Sequence, residues 1–506
     1  MNASKIANEP ASCRALVQGA MVLPDEHENG SGGPLVIQNG ALCIEQDRII
    51  AIGDYTELRR RFNPEDFYGS ENHLILPGFI NAHDHVRAPS CRSLGVSDDR
   101  LEAWIIDLMR MPDLDPERVS ALAHCQMLEA GVTTVVNSFY QPDATRYDEN
   151  LRSVMKGARQ AGARAVVAMS TMDQSIVSKL IGDILHHLPE DLRKQAETFL
   201  SSRKALAFQD YESLVRSWSA QTDFDRASVM MGPVSVHWCT DALLEQIWGL
   251  AQSLGLGLQT HLLESAFQRD AADARYGRSA VEYMHDAGLL LPKLSCAHGV
   301  FTTRQDWERL AEADVSIIHC PGSNMRLQNG VAPIGEMLKT GVNIGLGLDS
   351  MSYHDDGDML REIRFAYDMH ANHAADSSSI PKTTLLQMSA AGGARAIGMN
   401  ESIGSLQIGK QADIVVYAPR PGQEYKRSAG PSIQNLFDDD PRYGVDLVFV
   451  GGELIVEKGR HKKIDSARLH ADLVLEAEAK SRKNHTLVKF VRALNPFIQK
   501  HAGRNP

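Results

Sequence analysis

The sequence lacks the features that mark membrane-spanning and secreted proteins. No run of about 18 apolar residues occurs anywhere in the 506 residues, so no membrane-spanning helix is predicted. The stretch MNASKIANEPASCRALVQGA at the N-terminus contains no continuous apolar segment of the kind found in secretory signals. The seven cysteines are scattered and form no C-x-x-C pair, which favours reduced thiols and a cytoplasmic location.

Positive charge is also scarce in this chain. Lysine and arginine number 52 against 64 acidic residues, which gives a net charge of −12. Such a balance offers no general attraction for nucleic acid or for an anionic membrane surface, so neither is expected as a partner. The remaining composition is ordinary, because 43% of the residues are hydrophobic and can fill the core of a sizeable globular protein.

Short β-like runs separated by glycine and asparagine occur at both ends of the chain. One set lies within residues 14–56 and another within residues 404–455. We predict that both ends contribute to a single β-sandwich domain, made of residues 1–76 and 400–464. A helical tail is predicted over residues 465–506.

Between these ends, short apolar runs alternate with longer amphipathic segments, a pattern typical of β/α units around a parallel sheet. The strand candidates are Leu74–Ala82, Thr133–Phe139, Arg164–Ser170, Val229–His237, Leu256–His261, Leu294–His298, Val315–His319 and Val342–Leu348. Eight strands fit a (β/α)₈ TIM barrel, which we predict for residues 77–399. The fold class is therefore α/β, with extra helices expected between the third and fourth strands.

The first strand candidate ends in the sequence PGFINAHDH. Residues i and i+2 of a strand point to the same side, so His83 and His85 are expected to project together. Asp84 is then expected on the opposite side. Taken alone, the pair is also explained by a polar strand end that enters a loop.

Histidine or aspartate ends six of the eight strand candidates. Beyond the first pair, the residues at these ends are His237, His261, His298, His319 and Asp349. The C-terminal ends of TIM-barrel strands meet at one face, which is where the active sites of such barrels lie. Imidazole nitrogen and carboxylate oxygen suit Zn²⁺, although Fe²⁺ or Mn²⁺ would also accept these ligands.

Four stretches give the chain a resemblance to enzymes of the amidohydrolase superfamily: LPGFINAHDH, THLLES, HCPGSNMRLQNGVAPIGEMLKTGVNIGLGLDS and GSLQIGKQADIVV. The chain most resembles the branch that contains S-adenosylhomocysteine/methylthioadenosine deaminases, guanine deaminases and triazine hydrolases. The resemblance implies a metal-dependent hydrolase that acts on C–N bonds of a small heterocyclic substrate. It also implies a homo-oligomer, either a dimer or a tetramer.

The resemblance further implies roles for individual residues. The positions that match the metal ligands of the family are His83, His85, His261 and Asp349. Glu264 matches the glutamate that transfers protons in the deaminases, and His298 matches a histidine that contacts the hydrolytic water. Asp349 is expected to take the proton of that water as well. A carboxylate facing the dipole of a helix start is the alternative for Glu264.

Departures from the family pattern bear on the metal and on the first strand. Binuclear members carry a carboxylated lysine at the end of strand four, where this chain reads SVHWC. We therefore expect one metal ion per subunit, with Zn²⁺ preferred. Asp84 stands where the family often has a small residue, and we expect it to hydrogen-bond behind the strand without binding metal.

Three residues are candidates for contact with the substrate. His237 matches a histidine that often touches substrate in the family. Trp104 belongs to an L-x-x-W element and is either a pocket residue or a core residue. Nucleoside-acting relatives continue with a Pro-x-Glu that holds a ribose, whereas this chain has Asp113 after Pro112. The glutamate is absent or shortened, which weakens the case for a nucleoside.

The sequence thus predicts a hydrolytic deaminase that releases ammonia from an amino-substituted heterocycle. The alternative keeps the same machinery in a chlorohydrolase, an N-dealkylating hydrolase or a cyclic amidohydrolase, because pocket shape selects the leaving group. A remote third interpretation is a catalytically inactive scaffold. Such proteins lose ligands, and this chain keeps all those expected.

Overall fold

The computed structural model describes residues 11–27, 34–202, 206–221, 226–372, 380–420, 431–437, 443–483 and 485–502. The first ten residues, which form half of the stretch searched for a secretory signal, lie outside the described residues. Within the described ranges, no helix combines the length and the apolar character needed to cross a membrane.

Sixteen strands occur in the described residues. They are β1 (Ala11–His27), β2 (Pro34–Glu45), β3 (Arg48–Asp54), β4 (Phe62–Pro77), β5 (Phe79–Asp84), β6 (Val132–Phe139), β7 (Arg164–Thr171), β8 (Ala227–Pro233), β9 (Leu258–Leu262), β10 (Leu294–His298), β11 (Ser316–His319), β12 (Asn343–Leu346), β13 (Ile414–Pro419), β14 (Tyr443–Val450), β15 (Glu453–Glu457) and β16 (Arg460–His461).

Nineteen α-helices lie in the same residues. They are α1 (Tyr55–Arg61), α2 (Leu101–Leu108), α3 (Pro116–Glu129), α4 (Tyr147–Ala161), α5 (Ile176–Ile184), α6 (Glu190–Ser202), α7 (Phe208–Ser219), α8 (Asp241–Leu254), α9 (Ala266–Tyr276), α10 (Ala280–Asp286), α11 (Arg304–Glu312), α12 (Pro321–Arg326), α13 (Ile334–Lys339), α14 (Met359–Asn372), α15 (Lys382–Gln387), α16 (Gly393–Ala396), α17 (Gln434–Phe437), α18 (Ser466–Lys483) and α19 (His485–Ala502).

Strands β5 to β12 form one eight-stranded parallel sheet in which every strand neighbours the next one along the chain. Helices connect the strands, and α5, α6 and α7 all lie between β7 and β8. The sheet closes where the segment after β12 meets β5, because the backbone N–H of Asp349 donates to the carbonyl oxygen of His83 at 2.9 Å. The predicted TIM barrel and the extra helices between its third and fourth strands are confirmed.

Both chain ends share a second sheet, as predicted. Its strand order is β16-β15-β14-β13-β4-β1-β2-β3. The edge strand β3 bonds back to the segment before β13, since the Gly409 N–H donates to the Ile49 carbonyl at 2.8 Å and the Ile49 N–H to the Lys410 carbonyl at 3.0 Å. The predicted sandwich is thus one continuous mixed sheet that curls on itself. The exact residues at which the three predicted domains begin and end stay a prediction.

The prediction of one strand over Leu74–Ala82 is wrong, because the chain changes sheets at Gly78. Strand β4 ends at Pro77 in the curled sheet, and β5 begins at Phe79 in the barrel. The Gly78 N–H donates to the Asp413 carbonyl, and the next N–H donates to the Gly131 carbonyl of the barrel. A Cβ at Gly78 would lie 2.3 Å from Thr133, so this close approach requires glycine. The sequence does not reveal this change of sheet, because the apolar run continues on both sides of Gly78.

The C-terminal tail is helical, as predicted, and its last helix supports the barrel. Four side chains of α19 are buried in one cluster with α2 and α5: Phe490, Val491, Leu494 and Ile498. Helix α2 contributes Ala103 and Ile106 to the same cluster. The C-terminal tail therefore packs against α2, the helix that carries Trp104.

A buried ion pair joins the barrel to the curled sheet. Arg164, the first residue of β7, donates to Asp413 through Nε at 3.1 Å and through Nη2 at 3.0 Å. The Asp413 carboxylate also accepts the Gly451 N–H at 2.7 Å. Both side chains are nearly inaccessible, with exposures of 6% and 2%.

We predict that Asp413→Ala destabilises the protein by about 3–5 kcal/mol, because it leaves the Arg164 guanidinium buried without its partner. Urea unfolding followed by circular dichroism measures the change. The matched control is Glu308→Ala, which removes the carboxylate of the exposed pair with Arg304, whose side chains are 82% and 58% accessible. Equal stability losses in the two variants would contradict a joining role for the buried pair.

Candidate metal centre and active site

Histidine and aspartate side chains converge at the C-terminal face of the barrel. Nε2 of His83 and Nε2 of His85 lie 3.3 and 3.2 Å from Oδ1 of Asp349. The rings of His83 and His261 are 4.8 Å apart between centroids, and those of His261 and His298 are 5.6 Å apart. The barrel thus brings together side chains from strands β5, β9 and β10 and from the turn after β12.

The Nδ1 atom of each of these four imidazoles is held by an oxygen atom. The pairs are His83 with Gln259 Oε1 at 2.8 Å, His85 with the Ser138 carbonyl at 2.9 Å, His261 with the Val234 carbonyl at 2.7 Å, and His298 with Asn324 Oδ1 at 2.9 Å. A carbonyl oxygen can only accept, so the proton resides on Nδ1. Each Nε2 therefore carries a lone pair, which is the form in which histidine binds a metal.

The atoms at the centre of this group fit a divalent cation. Nε2 of His83, Nε2 of His298 and Oδ1 of Asp349 are buried and have no hydrogen-bond partner among the described residues. Leaving buried acceptors unsatisfied is costly, and a shared cation would satisfy them. The donor set of imidazole nitrogen and carboxylate oxygen suits zinc and similar metals. Burial, followed by the neighbouring histidines, lowers the pKa of His261 well below its usual value, which keeps this imidazole neutral.

The backbone is strained where these side chains are presented. Val86, Leu263, His298 and Asp349 adopt positive φ angles of 51°, 45°, 76° and 55°. The left-handed region is unfavourable for residues other than glycine, and for a β-branched residue such as Val86 it is rare. Strained residues of this kind cluster at functional sites. Here they turn the chain sharply at the ends of the first, fifth, sixth and eighth barrel strands.

Asp84 lies behind the first strand, as expected, and holds the turn after the last strand. Its two carboxylate oxygens accept hydrogen bonds from the Val86 N–H at 2.6 Å, from Asn81 Nδ2 at 2.8 Å, and from the N–H and Oγ of Ser350 at 2.9 and 2.5 Å. Ser350 follows Asp349 directly and shares its positive φ. Asp84 therefore fixes the position of a metal-ligand candidate without facing the centre.

Glu264 is a buried carboxyl group beside the centre. Its Oε1 accepts a hydrogen bond from Asn329 Nδ2 at 3.1 Å and lies 3.7 Å from Nε2 of His298. Its pKa is raised well above the usual value, first by burial and then by the carboxylates of Asp349 and Glu102. The N-cap of the following helix α9 is Ser265, so Glu264 does not serve as its cap. The raised pKa favours the protonated form of this carboxyl group.

His319 is separate from this group although it also ends a barrel strand. Its Nε2 lies 3.2 Å from Nε2 of His370, which belongs to α14. His319 is fully buried, whereas His370 is partly exposed. Of the six strand ends with histidine or aspartate, the one at His319 therefore contacts α14 and does not join the group around Asp349.

A cavity of about 790 Å³ opens over the ends of β6, β7 and β8. Tyr140, Ser170, His237, Phe267 and Arg275 are among its lining residues. Strand β8 ends at Pro233, earlier than predicted, because Ser235 caps a short 3₁₀ turn that contains His237. Nδ1 of His237 bonds Ser235 Oγ at 2.8 Å, whereas the buried Nε2 has no partner among the described residues. Burial and then Arg275 lower the pKa of His237 to about 4, so the ring is neutral.

The other two candidates for substrate contact have different surroundings. Trp104 is 5% exposed and packs with Cys91, Leu327 and Met351 at the rim of the barrel. Asp113 lies at the surface with a side chain 71% exposed, paired with Arg146 at 2.8 Å. It is not among the residues that line the cavity. The structure therefore does not bring Asp113 to the site.

The buried side chain of Arg326 forms hydrogen bonds with two loops at the barrel mouth. Arg326 donates to Asp98 through Nε and Nη2, and to Asp355 and the Ser352 carbonyl through Nη1 at 2.9 Å. Ser90 Oγ donates to the same Asp355 at 2.5 Å. The loops after the first and eighth strands are thereby fixed to α12.

Comparison with known proteins agrees with this geometry. Residues 74–455 match the Amidohydrolase family. The chain belongs to this family. It is 30% identical over 446 residues to the 5-methylthioadenosine/S-adenosylhomocysteine deaminase of Moorella thermoacetica, an alignment that covers 87% of this chain and 95% of the relative. The protein of the same name from Thermodesulfovibrio yellowstonii is 27% identical over 450 residues, which cover 86% and 92% of the two chains.

Solved structures share the fold of this amidohydrolase. An adenosine deaminase from Xanthomonas campestris with bound zinc superposes with a TM-score of 0.77 at 24% identity, covering 94% of this chain and all of the other. The guanine deaminase of E. coli gives a TM-score of 0.69 at 20% identity, with coverage of 88% and 99%. This chain is accordingly a hydrolase that acts on C–N bonds. The amidohydrolase family is metal-dependent, and the chain has candidate histidine and aspartate ligands for a metal ion.

Sequence reasoning missed the residues that hold the site of this amidohydrolase in place. Gln259, Ser323 and Asn329 contact a histidine, Asp349 and Glu264, respectively. Ser323, Asn324 and Asn329 all lie within the HCPGSNMRLQN stretch that carried the resemblance, but their hydrogen bonds join distant parts of the chain. Spacing alone gives no indication of such partners.

We predict that Asp84→Ala weakens metal binding by this amidohydrolase about 10- to 100-fold, as is typical for loss of a group that positions a ligand. The variant loses four hydrogen bonds that fix Val86, Asn81 and Ser350, so Asp349 is no longer held. Competition with a chromophoric chelator measures the affinity. The control Asp314→Ala removes an exposed carboxylate paired with Arg395. Unchanged affinity in a folded Asp84→Ala protein would contradict the positioning role.

Proposed function

We propose that this amidohydrolase is a deaminase that releases ammonia from an amino-substituted heterocycle. The observation that carries the proposal is the position of Glu264. A buried carboxyl with a raised pKa lies 3.7 Å from His298 and next to a histidine–aspartate metal centre. Hydrolytic deamination needs a proton donor for the ring and the leaving amine, and Glu264 is suited to this task.

One metal ion is proposed per chain. His83, His85, His261 and Asp349 would hold it, with Zn²⁺ preferred over Fe²⁺ or Mn²⁺. The segment after the fourth barrel strand reads SVHWC and offers no lysine that could bridge a second ion. When bound, the ion supplies Lewis acidity and lowers the pKa of a bound water to about 7.

Asp349 and His298 are proposed to handle the water. Oδ2 of Asp349 accepts a hydrogen bond from Ser323 Oγ at 2.6 Å, which orients the carboxylate toward the centre. This carboxylate takes a proton from the attacking water. Nε2 of His298 carries a lone pair and lies 3.9 Å from the same Oδ2, so it can accept a hydrogen bond from the water and direct it.

Glu264 is proposed to move protons on the substrate. It protonates a ring nitrogen, which makes the adjacent amino-bearing carbon electrophilic. The water oxygen then bonds to this carbon. Proton transfer to the amino group lets the C–N bond break, so that ammonia leaves and a ring carbonyl remains. His237, with its unpartnered Nε2 in the cavity, is proposed to contact the substrate.

The ring is not identified by the relatives. The two sequence relatives are named for 5-methylthioadenosine and S-adenosylhomocysteine, which contain a ribose, whereas Asp113 of this chain faces solvent beside Arg146 and gives no support for a ribose contact. We therefore propose an amino-substituted heterocycle among pyrimidines, purines, pterins and triazines. A homo-oligomer in the cytoplasm is the expected form of the enzyme.

A screen of aminated pyrimidines, purines, pterins and triazines with ammonia detection tests the reaction type. Release of ammonia from at least one of these rings is the expected result. Chloride or alkylamine release, or opening of a lactam, without any ammonia would favour the alternative hydrolases and contradict the proposed deamination.

We predict that Glu264→Gln lowers kcat about 10²- to 10⁴-fold, the usual contribution of a general acid–base group. The amide keeps the shape of the side chain but cannot give up a proton to the ring. Metal content, measured by mass spectrometry, is expected to stay the same as in the parent enzyme. Glu336→Gln, at an exposed position paired with Lys339, is the control. Retained activity in Glu264→Gln would exclude the proton-transfer role.

A further inference from the structure

Arg87 has no charged partner although part of its guanidinium is buried. Its Nη1 atom is buried and donates to nothing among the described residues. The Arg87 backbone N–H is fixed to Ser350 Oγ at 3.0 Å, but its side chain forms no ion pair in the part of the chain that the structure describes. Arg87 as a whole is partly exposed, but an N–H donor that is buried without an acceptor is unfavourable, so Nη1 is available to an acceptor from outside the chain.

Two arginines of this protein that are more deeply buried than Arg87 each have a carboxylate partner. Arg326 donates to Asp98 and Asp355, and Arg164 donates to Asp413 through two nitrogens. In both cases a carboxylate of the chain neutralises the guanidinium. Arg87 stands out from them because no carboxylate of the described residues takes this place.

Arg87 follows the more accessible of the two histidines on the first barrel strand. It is two residues from His85, whose side chain is 16% exposed, whereas the side chain of His83 is fully buried. The backbone N–H of Arg87 is held by Ser350, the residue that follows Asp349, so Arg87 lies beside the turn that carries this metal-ligand candidate. A substrate that approaches the centre past His85 would therefore come close to Arg87.

The indole ring of Trp104 lies next to the guanidinium of Arg87. The guanidinium carbon of Arg87 lies 5.4 Å from the centroid of the Trp104 ring. Nε1 of Trp104 is also buried without a partner among the described residues. Trp104 also packs in an apolar cluster with Leu101, Leu327 and Met351, and α19 packs against the helix that carries the ring. Stacking on an aromatic ring leaves the planar edge of a guanidinium available for a planar acceptor.

We infer that Arg87, stacked on Trp104, is a specificity-determining residue that binds a carboxylate carried by the heterocyclic substrate. The inference deepens the proposed function and rests on it for the ring. Arginine pairs with a carboxylate through two parallel N–H···O bonds, which a neutral amide cannot match in charge. The substrate class is thus an aminated heterocyclic acid.

Equilibrium binding to the zinc-loaded enzyme tests this inference, with an aminopyrimidine carboxylate and the matching carboxamide as probes. The parent enzyme is expected to bind the carboxylate about 10- to 100-fold more tightly, the range expected of a charge-assisted hydrogen-bonded pair. Arg87→Met is expected to abolish the preference, and Arg87→Lys to retain part of it. Arg92→Met removes an exposed arginine of the same loop and should keep the preference.

Two results would overturn the inference. One is equal binding of the two probes by the parent enzyme. The other is an unchanged preference in Arg87→Met, which would show that the carboxylate binds only the metal ion. Steady-state kinetics of Arg87→Met give a further readout. A rise in KM for acidic substrates alone supports the specificity role, whereas an equal loss of kcat/KM for acids and amides indicates a structural role and overturns the inference.

The same experiment separates this inference from the proposed function. If no ring releases ammonia but the carboxylate preference depends on Arg87, the proposed deamination fails and the inference stands. If ammonia is released and the parent enzyme shows no preference, the deamination stands and the inference fails.

Discussion

Closure of the barrel between its first and last strands is the constraint on which the metal centre depends. The Asp349 N–H donates to the His83 carbonyl, and the Leu348 N–H donates to Asn81 Oδ1, both at 2.9 Å. Gly347 permits this approach, because a Cβ there would lie 2.9 Å from the carbonyl oxygen of His83. A shift of one residue in this register would turn Asp349 away from the two histidines of the first strand.

Much of the barrel could be predicted from sequence, because strand ends and helices follow from local apolar patterns. The polar residues at those ends pointed to a shared face before any contact was known. The change of sheet at Gly78 could not be predicted, since the pairing of each half of one apolar run depends on Asp413 and Gly131, far along the chain. His319 misled for a similar reason, because its partner His370 lies on a later helix.

The barrel mouth has two unlike sides. The cavity with His237 covers the ends of β6 to β8, where no metal-ligand candidate arises. The loop after the first strand β5, which neighbours β6 in the barrel, carries Arg87 next to Trp104 and is held by the contacts of Arg326. The cavity is lined by charged as well as neutral side chains, among them Asp270 and Arg275.

The proposed metal centre is tested most directly by anomalous diffraction from crystals of the zinc-loaded protein, which locates the bound ions and their ligands. We predict one zinc ion bound by Nε2 of His83, His85 and His261 and by the carboxylate of Asp349. Glu264 should lie near the ion without binding it. Two ions in the centre, or a single ion bound away from these four residues, would contradict it.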